Sequence, residues 1–171
     1  MGAERQTDEA FADWLGPHLA ALRRISRAFA QPADQHDLMQ ELMLAVWNAR
    51  SRFQDRSAAA TFVYRVAHNA ALTWKRSETR RRRRGEAIEA EMALRLQQNG
   101  AEPEACLLER LYAAIRTLPP VDRSLILLSL DGVAYGEIAR LHGLSETNVG
   151  ARLTRIRARL STLVKDDGDG V

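Results

Sequence analysis

The stretch Tyr135–Leu160, YGEIARLHGLSETNVGARLTRIRARL, limits the possible folds more than any other part of this 171-residue chain. Ile138, Ala139 and Leu141 give its first half an apolar side. Gly143 follows, the residue type that takes left-handed backbone with no side-chain clash, as a sharp turn between helices requires. Leu144 anchors that turn, and Ser145 is placed to cap a second helix through its hydroxyl. Val149, Leu153, Ile156 and Leu160 then recur at i, i+4, i+7 and i+11, one stripe of a helix. Arg152, Arg155 and Arg159 fall on one flank of the stripe, and Thr147, Ala151 and Thr154 face away from it. Ala139 is small enough for the two helices to cross closely. The pattern predicts a helix-turn-helix whose second helix enters a DNA major groove. On these residues alone it also fits a helical hairpin with a solvated basic face.

The charge distribution favours the first reading. The net charge is only +3, but it is segregated. Residues 61–85 hold eight Lys/Arg against one acid, residues 86–122 three against seven, and residues 123–165 seven against three. Phosphate attraction is local once salt screens it, so two basic blocks around an acidic one suggest two separate nucleic-acid contacts. The single cysteine, Cys106, rules out an intrachain disulfide and fits a reducing cytoplasm; beside Leu107 and Leu108 it reads as a small core residue. No apolar run approaches a membrane span, and the N-terminus lacks a signal-peptide pattern, so membrane insertion is not expected. His18, His36, His68 and His142 are dispersed without metal-ligand spacing. With no phosphate loop and no nucleophile–base pair, the sequence predicts neither an enzyme nor a cofactor.

In chain order, helices are expected over His18–Ala30, stopped by Pro32, and over Asp34–Ser51. The second buries Leu38, Leu42, Ala45 and Val46, with Met39, Met43 and Trp47 widening that face. Asp37, Gln40, Glu41 and Asn48 lie opposite, with Leu44 among them. An apolar residue ringed by acids and amides fits a protein-contact surface, as well as an ordinary solvated face. A third helix starts near Ala58 and ends in the arginines Arg80–Arg84. In it Phe62, Tyr64, His68 and Trp74 interleave with Arg65, Lys75 and Arg76, a pattern that fits stacking and phosphate contacts for single-stranded nucleic acid, and equally core packing for most of the aromatics. Residues 85–104 are acidic and read as a linker. Glu104–Leu118 should bury Leu107, Leu108, Leu111, Ala114 and Ile115. Pro119-Pro120 stops that helix, and another carries Leu125, Leu127, Leu128 and Leu130. Asp131-Gly132 then turns the chain. The fold class is therefore all-α, two small helical domains joined by a flexible linker.

Three stretches resemble the group IV, extracytoplasmic-function (ECF) sigma factors of bacterial RNA polymerase. DLMQELMLAVW, residues 37–47, resembles the family's D-L-x-Q-E-x-x-L-x-V-W pattern of region 2. FVYRVAHNAALTWKR, residues 62–76, is similar to W-L-Y-R-I-A-x-N followed by a helix ending in arginines. Residues 118–160 are similar to region 4: L-P-x-x-x-R, then D-G-x-x-Y-x-E-I-A, then S-x-x-T-V-x-x-R-L-x-R-A-R. The resemblance spans roughly residues 18–165, with the motifs in order and at the right spacing.

The resemblance implies a division of labour. Residues 10–84 would be region 2, 85–104 the linker and 105–165 region 4. Asp37, Gln40, Glu41 and Leu44 would bind the β′ clamp helices of core polymerase, and region 4 the β flap. Tyr64, Arg65, Asn69, Trp74, Lys75 and Arg76 would act at the promoter −10 element, Asn69 helping to hold a flipped-out base at a cost of a few kcal/mol of unstacking. Thr147, Gly150, Ala151, Arg152, Thr154 and Arg155 would read the −35 duplex. An anti-sigma factor is an expected partner. The chain departs from the pattern at Phe62 (usually Trp), Thr73 (often acidic) and Asn148 (usually Thr). Gly150 and Ala151 are small where long side chains often reach bases, and Gly150 weakens its helix by up to about 1 kcal/mol relative to Ala. Reading at −35 would then lean on backbone contacts and DNA shape. The rival is a stand-alone helix-turn-helix regulator, which would bind a palindrome by itself as a dimer.

Overall fold

The computed structural model describes residues 10–53, 58–83 and 103–166, side chains at 80–83, 103–106 and 165–166 excepted. Residues 1–9, 54–57, the acidic interval up to residue 102 and residues 167–171 fall outside these residues, as do the side chains of the arginine run and of Cys106. After a helical turn at 10–15 come α1 (Leu19–Phe29), α2 (Gln35–Ala49), α3 (Ala59–Arg83), α4 (Pro103–Arg116), α5 (Pro120–Leu130), α6 (Tyr135–His142) and α7 (Glu146–Asp166). No strand occurs among the described residues.

The helices form two groups. α1, α2 and α3 pack mutually, while α7 packs on α4, α5 and α6. The first group closes over Leu22, Leu38, Leu42 and Val46, all fully buried, with Val63 and Ala67 of α3. Ala45 is only half-buried. In the second group the stripe Val149, Leu153, Ile156 and Leu160 is buried as the spacing predicts. Each such side chain contributes about 2 kcal/mol through burial.

Local chemistry sets the helix boundaries. Ala30 and Gln31 are both extended, the conformation favoured before a proline, and the chain leaves α1 there. Pro120 opens α5 at its first turn, where its missing N–H costs nothing. α5 ends in a Schellman turn: Gly132 takes φ 76°, and the Val133 N–H reaches back to the Leu128 carbonyl at 3.0 Å.

Two expectations for α4 and α5 need correcting. Leu107 and Leu108 are 53% and 42% exposed, and Leu130 is 60% exposed. Leu107 and Leu108 lie on the inward side by helical angle, but in the first turns of α4, where no helix among the described residues covers them. Burial begins at Tyr112 and continues through Ala114, Ile115 and Leu118.

The two groups also pack on each other, because α1 contacts α4 and α5. Arginines of the second group close the C-terminal end of α1. Arg116 donates to the Arg27 carbonyl at 3.0 Å, and Arg123 to the Ala28 carbonyl at 3.4 Å. These carbonyls carry the negative end of the helix dipole, so a cation is favoured there.

Candidate nucleic-acid and polymerase interface

Three surfaces carry the residues singled out from the sequence. On α2, Asp37, Gln40, Glu41 and Leu44 share one exposed strip, with Leu44 54% exposed at its centre. The Gln40 amide is hydrogen-bonded to His36, one turn earlier, at 3.0 Å. The opposite face of the same helix is wholly buried at Leu38, Leu42 and Val46.

On α3 the structure splits the predicted set. Arg65, Asn69 and Arg76 are exposed, and their spacing puts them on one side of the helix. Trp74 is half-buried and packs on the core. Lys75 is half-buried and held by Glu78 at 2.6 Å. Tyr64 faces the other helical group: it is 6% exposed, and its hydroxyl donates to the Ser124 carbonyl at 3.1 Å. Burial pushes its phenol well above the usual range.

The third surface is the helix-turn-helix. Gly143 takes φ 65°, and the Leu144 N–H returns to the Ala139 carbonyl at 2.9 Å. Ser145 caps α7, its hydroxyl accepting the Asn148 N–H at 3.2 Å. Thr147, Ala151, Thr154 and Arg155 are exposed on the outer side of α7. Gly150 and Arg152 flank that side. An added methyl at Gly150 would meet the Tyr135 ring at 3.7 Å. Arg152 donates from Nε and Nη2 to Asp122 Oδ1 at 2.9 and 2.7 Å. With Arg155 and Arg159 it lines an open cleft above Leu118 and Ile156. Arg157 fixes the other flank, donating to the Tyr135 and Ser129 hydroxyls at 3.2 and 2.7 Å. The face is therefore a basic strip with small residues at its centre, a shape that admits a phosphate backbone closely.

Sequence reasoning missed the seam between the groups. Arg123 is buried and donates to the Leu118, Arg116 and Ala28 carbonyls at 2.8, 2.5 and 3.4 Å. Burial pulls its guanidinium below the usual arginine range. Around it, Arg24 pairs with Asp131 at 2.6 Å, Arg27 with Glu109 at 3.2 Å, and the Thr61 hydroxyl donates to Glu137. An arginine inside the apolar run of residues 118–130 was the available signal, since a buried charge needs partners from outside its own helix.

A two-region, all-helical protein with an exposed basic recognition helix belongs to a known class, and comparison with known proteins identifies it. The chain matches sigma-70 region 2 over residues 15–81 and sigma-70 region 4 over residues 108–160. It is 28% identical over 151 residues to the ECF RNA polymerase sigma factor EcfG of Rhodopseudomonas palustris, covering 86% of this chain and 81% of that protein. It is likewise 28% identical over 152 residues to the probable RNA polymerase sigma factor RfaY of Xanthomonas campestris, covering 81% of this chain but only 38% of that protein. Its fold resembles the sigma factor RpoE solved with the anti-sigma factor NepR from Bartonella quintana. That likeness has a TM-score of 0.70 at 22% identity, and spans 92% of this chain and 98% of that one. The chain belongs to the ECF sigma factors of bacterial RNA polymerase, the proteins that direct the polymerase to promoters. No helix among the described residues is long and apolar enough to cross a membrane.

Proposed function

We propose that the three surfaces divide the work of promoter-directed initiation. The Asp37–Gln40–Glu41–Leu44 strip docks on the β′ clamp helices of core polymerase, while region 4 meets the β flap. The exposed α3 side, Arg65, Asn69 and Arg76, takes the −10 element, joined by Tyr64, Trp74 and Lys75 once the strands part. The outer face of α7, Thr147, Ala151, Thr154 and Arg155 with Gly150 and Arg152 beside them, reads the −35 duplex. Residues 10–84 and 105–165 are the two working domains and 85–104 the link between them. The chain works in the cytoplasm, lends specificity and strand opening to an enzyme without being one, and is held in check by an anti-sigma factor.

The observation that carries this reading is Leu44, exposed in the middle of a polar strip on a helix whose other side buries Leu38, Leu42 and Val46. An apolar side chain there adds nothing to the fold and fits a partner's pocket. Gel filtration with bacterial core polymerase tests it. The wild type should co-elute, and a Glu41→Ala/Leu44→Ala variant with unchanged helical signal should not. A folded, inhibitor-free wild type that fails to co-elute sinks the docking assignment and favours a stand-alone regulator, to be sought by footprinting on palindromic DNA.

A further inference from the structure

The seam between the helical groups is mostly apolar or arginine-capped, but at one point two histidines meet in it. His68 of α3 is 7% exposed, and its ring lies edge-on to His142 of α6 with centroids 5.3 Å apart. Phe29 of α1 covers the His68 ring at 5.7 Å, and Tyr64 stacks on it at 6.4 Å. The Ser124 hydroxyl of α5 is hydrogen-bonded to the same ring. His142 Nε2 is buried with no hydrogen-bond partner among the described residues. Four helices from two groups thus meet at a pair of imidazoles.

The charged groups around the pair are already engaged. On α7, Arg152 approaches His142 and is bound to Asp122 of α5. On α5, Arg123 stands over the Phe29 ring, committed to backbone carbonyls, and Asp131 pairs with Arg24 of α1. On α6, Glu137 accepts from Thr61 and Arg140 donates to the Gly136 carbonyl. On α3, Glu78 pairs with Lys75; between α1 and α4, Arg27 pairs with Glu109. A neutral imidazole suits such a site, offering one donor and one acceptor. On His68 an imidazolium would put a charge beside a second imidazole, away from water and with its nearest carboxylates spoken for; on half-buried His142 it would put one beside an arginine.

We propose that the His68–Ser124–His142 cluster is a proton-operated latch: neutral rings hold the two regions together, and protonation of either ring separates them and uncovers Tyr64. Burial, then the His142 ring, pulls His68 down to about 4 from the ordinary 6.5. Burial, then Arg152, lowers His142 as well. In the open chain both rings are solvated and regain the ordinary value, so the open form binds more protons. Closure is therefore at full strength above about pH 6.5 and weakens as pH falls toward 4. The latch rests on the geometry of the seam and goes beyond the assignment of DNA and polymerase surfaces.

The test follows the full chain by small-angle scattering and far-UV circular dichroism from pH 8 to 4.5, with ring NMR titration of His68 and His142. The wild type should expand below about pH 6.5 while keeping its helical signal. Both rings should titrate below the ordinary value, and His142→Gln should shift or flatten the expansion. No expansion, expansion only with loss of helix, or an unchanged midpoint in both His142→Gln and His68→Gln would overturn the latch. Should a glutamine variant be open already at pH 8, the wild-type rings decide. A His68 ring titrating at or above its ordinary value in the compact chain rejects the latch, and one titrating below it supports the latch.

Discussion

The two helices proposed to face DNA are presented differently. α7 is complete: its outer residues Thr147, Ala151, Thr154 and Arg155 are exposed, and both flanks are pinned, by Arg152 on Asp122 and Arg157 on Tyr135. α3 is divided, with Arg65, Asn69 and Arg76 outward and Tyr64 locked against Ser124 in the seam. One conformation therefore leaves the proposed duplex-reading surface ready while part of the proposed strand-opening motif is covered. A duplex site can be read by a rigid face. A melted strand must be accommodated by groups that exchange one set of partners for another. The seam is where that exchange has to happen, and Arg123 is its central polar contact.

Removing Arg123 should break the contrast most severely. Arg123→Ala deprives three carbonyls of the seam, two of them in buried contacts, of this donor and should destabilise the chain by about 3 kcal/mol, read by urea denaturation. It should also raise the solvent exposure of Tyr64, read by fluorescence quenching. Lysine should rescue little, since a point charge cannot reproduce the forked donation to separate carbonyls. A variant as stable as wild type with Tyr64 still protected would show that the seam does not depend on Arg123.

Arg155→Ala probes the other side of the contrast. Arg155 is exposed, and its Nε bonds only weakly, at 3.4 Å, to the Ala151 carbonyl one turn back. Stability should change by no more than about 0.5 kcal/mol. Binding of the polymerase holoenzyme to −35 DNA should weaken by about 1–3 kcal/mol, with a shallower salt dependence if the contact is to phosphate. Equal loss on all promoter sequences would make Arg155 a backbone contact, and loss on one sequence a base contact.

Much of the fold was legible because it repeats locally. The α7 stripe, the Ser145 cap and the Gly132 and Gly143 turns each follow from a few adjacent residues, and each is observed. The outward strip of α2 and the outer residues of α7 were legible for the same reason, since helical spacing fixes which side a residue takes. Neighbours from the other group were not legible. His68 and His142 are 74 positions apart (142 − 68) and carry no spacing signal, yet they touch. Tyr64 matched a DNA-contact pattern and lies in the seam. Leu107 and Leu108 have inward helical angles but are exposed among the described residues. Periodicity reports direction, and only the tertiary arrangement reports what lies in that direction.

The smallest expected effect concerns Gly150, and it sharpens the contrast by testing whether α7 is already as rigid as it can be. Glycine within a helix costs about 1 kcal/mol relative to alanine, through extra backbone freedom in the unfolded chain. Gly150 has no positive φ to need that freedom. A methyl there would meet Tyr135 at 3.7 Å, an ordinary contact that displaces nothing. Gly150→Ala should therefore stabilise the chain by about 0.5–1 kcal/mol in thermal or urea unfolding. If glycine is present only as filler, −35 binding by the holoenzyme should be unchanged or slightly tighter, because less disorder is lost on docking. A stabilised variant that binds −35 DNA several-fold more weakly would mean that backbone comes within a methyl's width of Gly150. The gap between Thr147 and Thr154 would then be a contact surface in its own right, read through shape where other side chains are too short to reach.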